Sequence, residues 1–157
     1  MKRLPSYIKF ALPKGKLLPP TANLLGELAL GFEDYSDEAR EYRLHSEKFP
    51  QLSAKVFQEK DIPIQVAIGN YDLGICGLDW IEELLARYPS NALVKVSNLN
   101  YGEGGVHVAA SRHAGISDLH ELLVREDSWR IVSEYPNLAE AFALNLRLKA
   151  FKIFPVW

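Results

Sequence analysis

Asp61-Ile62-Pro63, followed by Gly69-Asn70-Tyr71-Asp72-Leu73-Gly74-Ile75-Cys76-Gly77-Leu78-Asp79, is the stretch that decides the fold. Asp61 is suited to N-cap a short helix that carries Pro63 in its first turn. Gly69 ends that helix, because a residue without Cβ takes the left-handed cap conformation freely. Leu73, Ile75 and their neighbours read as a brief buried strand over residues 72–76. Gly77 then releases the chain into a second helix running from Asp79 to Arg87. Two helix N-termini are thereby set close to a strand end, an arrangement that favours an anionic ligand.

Working outward, residues 7–12 read as a first strand, 13–16 as a loop, and 21–30 as a helix with Leu24, Leu25 and Leu28 on one face. A short strand at 56–58 follows the charged region 33–48, and residues 93–96 read as another strand. Gly102-Glu103-Gly104-Gly105 breaks this pattern. Beyond it, 106–110 reads as a strand, 117–124 as a helix, 129–132 as a strand, 138–146 as a helix and 150–154 as a final strand. Such alternation predicts an α/β fold with largely parallel sheets. It also divides the chain into a first lobe over 1–100, a hinge at 101–105 and a partial second lobe over 106–157.

The chain has 157 residues, of which 48% are apolar and 24% charged, the make-up of an ordinary globular protein. Its net charge is -2 and its basic residues form no run, which disfavours a nucleic-acid surface. One cysteine, Cys76, excludes an internal disulfide and suits a reducing compartment. Lys2 and Arg3 lead into Pro5 and Ser6 instead of a sustained apolar run, so no signal peptide is visible, and no stretch has the length of a membrane span. A cytoplasmic location is expected.

Four groups of residues could carry chemistry. Lys14-Gly15-Lys16 lies between a strand and a helix, where two ammonium groups and helix-start amides suit phosphate oxygens; the alternative is a solvated basic turn. Asp72, Gly74, Gly77 and Asp79 form the second group, with Asp79 as N-cap and Asp72 as a strand-end residue for the plainer reading. Tyr101 to Gly105 lacks the Lys and Ser/Thr of a P-loop and reads as a hinge. Ser133, Glu134, Tyr135 and Asn137 sit where a strand meets a helix; Ser133 or Asn137 could cap that helix, and Tyr135 could stack on a base or pack against the neighbouring lobe. His45, His107, His113 and His120 have no zinc-ligand spacing, no nucleophile elbow is present, and Glu82-Glu83 is read as the exposed side of a helix.

The pattern D-I-P…G…D-L-G-I-x-G-x-D at 61–79 resembles that of ATP phosphoribosyltransferases, which open histidine biosynthesis. Ala11-Leu12-Pro13-Lys14-Gly15-Lys16-Leu17, residues 34–40 and residues 130–138 agree with that family in the same order, so the resemblance runs from about Lys9 to the last residue. It implies a two-lobed architecture similar to type II periplasmic binding proteins, with ligand between the lobes and the turn at Gly77 along the nucleotide. It implies condensation of ATP with phosphoribosyl pyrophosphate to phosphoribosyl-ATP and pyrophosphate. Mg²⁺ is then carried by substrate phosphates, and the protein is a homo-oligomer, in the family's short form joined by a histidyl-tRNA-synthetase-like regulatory subunit. Lys16, Gln58 and Gly105 stand where family members commonly have arginine, which keeps the charge only at Lys16. The family's Thr-Gly-x-Thr loop for the ribosyl donor has no counterpart, since Thr21 is the single threonine. The second lobe is therefore expected to be incomplete and the chain, as an N-terminal portion, inactive alone. The alternative is a non-catalytic nucleotide- or anion-binding module derived from the same fold.

Overall fold

A computed structural model describes residues 7–38, 42–89, 93–125 and 127–156. Ala39 and Arg40 of the family-like segment, and the N-terminal residues read for a signal peptide, lie outside the described residues. The chain is α/β and divides into two compact units, Met1–Ile81 with Ser90–Glu103 and Glu82–Pro89 with Gly104–Trp157.

The first unit is organised by strand β1, Ile8–Pro13, whose last three residues are buried. β1 pairs in parallel with β3, Leu52–Phe57, and with the two-residue β4, Leu73–Gly74, while β2, Arg43–His45, lies antiparallel on β3. The order is β2-β3-β1-β4, so β1 is central. Ala11 and Leu12 have no exposure, as expected for a parallel strand covered on both faces. Helix α1, Leu18–Glu27, begins with Pro19 and Pro20 and buries Leu18, Thr21 and Leu25. Those positions follow the three-then-four spacing of one helical face. Phe32, Tyr35, Leu44, Leu52 and Ala54 complete the core.

The short helix α2, Ile62–Ala67, ends at Gly69, whose φ of 77° is left-handed. Asp61 stands at the N-cap, but its side chain makes no cap hydrogen bond. Ile62 of α2 is fully buried, and with Val66 it packs against Gly74. A Cβ at Gly74 would fall 2.6 Å from Ile62 Cγ2 and 2.9 Å from Val66 Cγ2, so helix and strand approach only because this residue is glycine.

The second unit carries helix α4, Leu119–Val124, strand β5, Trp129–Ser133, helix α5, Pro136–Asn145, and strand β6, Phe151–Pro155. β5 and β6 are parallel, from Trp129↔Phe151 to Ser133↔Pro155. Helix α3, Leu78–Arg87, starts in the first unit and contributes Glu82 onward to the second. At the start of α4, Asp118 accepts from the Glu121 N–H at 3.0 Å while Glu121 accepts from the Ser117 N–H at 2.6 Å, a near-reciprocal capping box.

Five sequence expectations are corrected. Residues 93–96 and 106–110 form no strand, and Val94 and Val96 are 78% and 80% exposed. Alternating valines satisfy strand propensity, but a strand also needs a ladder partner, and propensity yields to that context. The strand expected over 72–76 is only Leu73–Gly74, an edge strand with both residues exposed, and Cys76 lies beyond it. Leu28 faces solvent, because Leu18, Thr21 and Leu25 define the inner face of α1. β2 was hidden by its charged neighbours.

Glu83 is the fifth. It is 7% exposed and does not lie on a solvated helix face. One carboxylate oxygen accepts from the Asn137 backbone N–H at 2.9 Å and its Nδ2 at 2.6 Å, and the other accepts from the Leu138 N–H at 2.8 Å. Glu83 thus satisfies two of the N–H groups that open α5, at the helix end where negative charge is favoured. Glu83→Ala should destabilise the chain by about 2–3 kcal/mol, because it orphans buried donors. Glu83→Gln keeps an acceptor and should cost less. Urea unfolding of the three proteins measures the order.

Candidate functional site

In a parallel sheet the loops that leave the C-terminal strand ends are where ligands bind. Here those ends are Pro13 on β1, Phe57 on β3 and Gly74 on β4. They lead respectively into Lys14-Gly15-Lys16, Gln58-Glu59 and Cys76-Gly77-Leu78-Asp79.

The lysine turn is fixed by its backbone. Lys14 donates its N–H to the Phe57 carbonyl at 2.8 Å, which carries the β1–β3 ladder past Pro13. Gly15 has φ 79° and opens a 3₁₀ turn through Leu17. A Cβ at Gly15 would meet nothing within 4 Å, so glycine is needed here for conformation and not for space. The Lys14 ammonium lies 5.4 Å from the centre of the Tyr42 ring, a cation–π contact. Pro19 and Pro20 have no N–H, and the Leu18 N–H bonds to the Gly15 carbonyl. Amide donors toward a ligand therefore come from Gly15, Lys16 and Leu17 at the opening of the turn, and less from α1 itself.

Opposite in charge is Glu59, on the 3₁₀ turn Glu59–Asp61 that leads into α2. Burial holds its carboxyl above the ordinary carboxylate range, and the nearby Asp79 charge adds to the effect. A hydrogen bond from the Gly77 N–H and the Lys16 charge act the other way. Asp79 Oδ1 accepts from the Trp80 N–H at 3.0 Å in the first turn of α3. A Cβ at Gly77 would collide with the Asp79 carboxylate oxygen, so any larger residue there would displace that side chain. The Cys76 thiol is pushed up to about 12, chiefly by burial and then by Glu59 and Asp79, and stays protonated at neutral pH.

These placements revise the expectation of an anion held by the starts of α2 and α3. Glu59 and Asp79 already bring negative charge to that region. Of the site residues read from sequence, Lys14, Gly15, Lys16, Gly77 and Asp79 lie on loops after strand ends. Asp72 lies at the other end of β4, where its carboxylate accepts from the Lys9 N–H at 2.8 Å and extends the strand pairing. Gly74 packs under α2. Tyr101 hydrogen-bonds through its hydroxyl to Thr21 at 2.9 Å. Ser133 and Tyr135 belong to the second unit, where Ser133 Oγ accepts from the Tyr135 N–H at 2.9 Å before α5. Sequence reading missed Glu59, although its position two residues before Asp-Ile-Pro was a usable signal. Among the described residues no group of three or more His, Cys, Asp or Glu could hold a metal ion, and no helix is long and apolar enough to cross a membrane.

The raised Glu59 carboxyl fixes a sign. The native state binds this proton more tightly than the unfolded chain, so its favourable contribution is complete below the ordinary carboxylate range. That contribution is lost as pH rises through the folded value. Glu59→Gln should therefore raise the unfolding midpoint at pH 7, and the gain should vanish as pH falls below the carboxylate range. Thermal unfolding of both proteins across that range checks it.

A family model described as HisG, ATP phosphoribosyltransferase, matches residues 58–157. A protein of Caldicellulosiruptor bescii named ATP phosphoribosyltransferase is 30% identical over 148 residues, covering 93% of this chain and 65% of that protein. One of Lachnospira eligens with the same name is 27% identical over 149 residues, covering 94% and 63%. The chain thus spans a little under two thirds of the length of these relatives. A solved ATP phosphoribosyl transferase (HisG:HisZ) complex from Thermotoga maritima contains a chain that superposes with a TM-score of 0.66 at 18% identity, over 96% of this chain and 64% of that one. With the family model matched over most of its length, the chain belongs to the HisG family of ATP phosphoribosyltransferases.

Proposed function

We propose that the protein to which this chain belongs condenses ATP with phosphoribosyl pyrophosphate, releasing pyrophosphate, as the first step of histidine biosynthesis. The observation that carries the reading is the Lys14-Gly15-Lys16 turn, placed after the central parallel strand of a chain of this family. In this reaction an adenine nitrogen attacks the ribosyl C1 as pyrophosphate leaves. Orientation and charge stabilisation are what a protein contributes to such a substitution.

Charge on the two sides of the site orients the nucleotide. Phosphate oxygens go to the ammonium groups of Lys14 and Lys16 and to the amides of the turn. The base or ribose approaches the Gly77 backbone, because Glu59 and Asp79 would repel phosphate there. Asp72 and Gly74 hold the strand beside this turn, Tyr101 is tied to α1 through Thr21, and Ser133 and Tyr135 are the substrate-facing candidates of the second unit. Magnesium belongs to the substrates, carried on their phosphates, where it neutralises charge.

The division into two units supports a two-lobed fold of the type II periplasmic-binding-protein kind, with its hinge at Tyr101–Gly105. The Thermotoga HisG:HisZ complex supports a regulatory partner, which we take to be histidyl-tRNA-synthetase-like; a homo-oligomer in the cytoplasm is part of the same proposal.

Calorimetric titration of this chain with ATP or AMP tests the site. Replacing Lys14 and Lys16 together by Ala should weaken binding roughly tenfold or more while shifting stability by no more than about 0.5 kcal/mol. Equal affinity of both proteins would remove the turn from the site. Nucleotide binding without phosphoribosyl-ATP formation by the protein, supplied with both substrates and magnesium, would favour a non-catalytic module instead.

A further inference from the structure

Three hydroxyls in the first unit make two hydrogen bonds that flank the lysine turn. Tyr35, 3% exposed, donates its hydroxyl to the Pro13 carbonyl at 2.5 Å. A carbonyl only accepts, so the Tyr35 proton is committed to Pro13. Thr21, fully buried on α1, lies 2.9 Å from the Tyr101 hydroxyl in a bond that either oxygen can donate.

The Thr21–Tyr101 bond ties α1 to a segment 80 positions away. Pro13 is the residue immediately before Lys14. Gly102, immediately after Tyr101, has φ 73°, and a Cβ there would fall 2.5 Å from Leu17 Cδ2. Leu17 closes the same 3₁₀ turn that Gly15 opens. The turn is thus held at its entry through the Pro13 carbonyl and at its exit by the backbone of Gly102 on Leu17. Its middle, Gly15, has open space around it.

We propose that Tyr35, Thr21 and Tyr101 are positioning residues that hold the Lys14-Gly15-Lys16 turn in the shape that receives phosphate. Tyr101 acts through Thr21 and not by touching the nucleotide. This assigns Tyr101 a role different from substrate contact, and it rests on the reading of the turn as a phosphate site. Core packing alone would need the rings and methyl groups but not the hydroxyls. Substitutions that remove only the oxygen therefore separate the two roles.

Thr21→Val removes the buried hydroxyl at constant shape, Thr21→Ser keeps the hydroxyl and loses the methyl, and Tyr101→Phe removes its partner hydroxyl at a partly exposed ring. Two measurements are made on each. The first is amide hydrogen exchange without ligand at Lys14 and Leu18, whose N–H groups bond to the Phe57 and Gly15 carbonyls at the two ends of the turn, with α5 amides of the second unit as internal reference. The second is affinity for AMP by calorimetry. Thr21→Val and Tyr101→Phe should accelerate exchange in the turn and weaken AMP binding, each by about fivefold, the worth of one hydrogen bond. Thr21→Ser should bind as the parent does even where its stability falls. Faster exchange confined to the turn in a protein that binds no AMP would uphold the positioning role and refute the phosphate reading. Turn exchange and AMP affinity at parental values in both Thr21→Val and Tyr101→Phe would overturn the proposal, as would Thr21→Ser behaving like Thr21→Val.

Discussion

The central position of β1 is the constraint on which the rest of the first unit depends. With β3 on one side and β4 on the other, Ala11 and Leu12 lose all contact with water, and Pro13 is enclosed with them. A strand so enclosed must be apolar to its end. Pro13 suits that last position because it offers no N–H, leaving only its carbonyl to satisfy. Tyr35 supplies the donor. The first charged residue after the strand, Lys14, emerges where the sheet stops. Burial of the strand and exposure of the lysine turn are two consequences of one packing arrangement.

Closeness on the β4 side has the same origin. β4 is short, and Asp72 lengthens its hold on β1 by accepting the Lys9 N–H, while the Ile75 N–H bonds to the Ala11 carbonyl at 3.0 Å. Gly74 lets Ile62 and Val66 come down onto the strand. Adding a methyl group there would force a shift in two β-branched side chains, whose rotamers are stiff. The turn at Gly77 is consequently placed by backbone contact and not by side-chain choice.

Much of this was legible from the order of residues. Strand-turn-helix spacing located β1, α2, α3, β5, α5 and β6 because each has the apolar period of its element and all but β5 have a proline or glycine at an end. The lysine turn was legible for the same reason. What periodicity does not encode is the partner. Val94 and Val96 have a strand pattern without a ladder. Glu83 has a surface residue's chemistry, but it is drawn inward by N–H groups 54 and 55 positions away. Tyr35 meets Pro13 across 22 positions, and Thr21 meets Tyr101 across 80. A single sequence carries no local signal for such pairs.

The distribution of carboxylates then explains why one helix start differs from the others. Asp61 and Glu59 precede α2, Asp79 lies in the first turn of α3, Asp118 and Glu121 cap α4, and Glu83 reaches across to α5. Each places the protein's own negative charge where the helix dipole favours an anion. The start of α1 has no acidic residue and is preceded by Lys14 and Lys16. Its two prolines also remove N–H groups that would otherwise need partners. An external anion thus meets competition from an internal carboxylate at four of these five starts, and at α1 it meets two cations and the open backbone of Gly15. The phosphate site proposed at this one turn rests as much on the satisfaction of the other helices as on the lysines themselves.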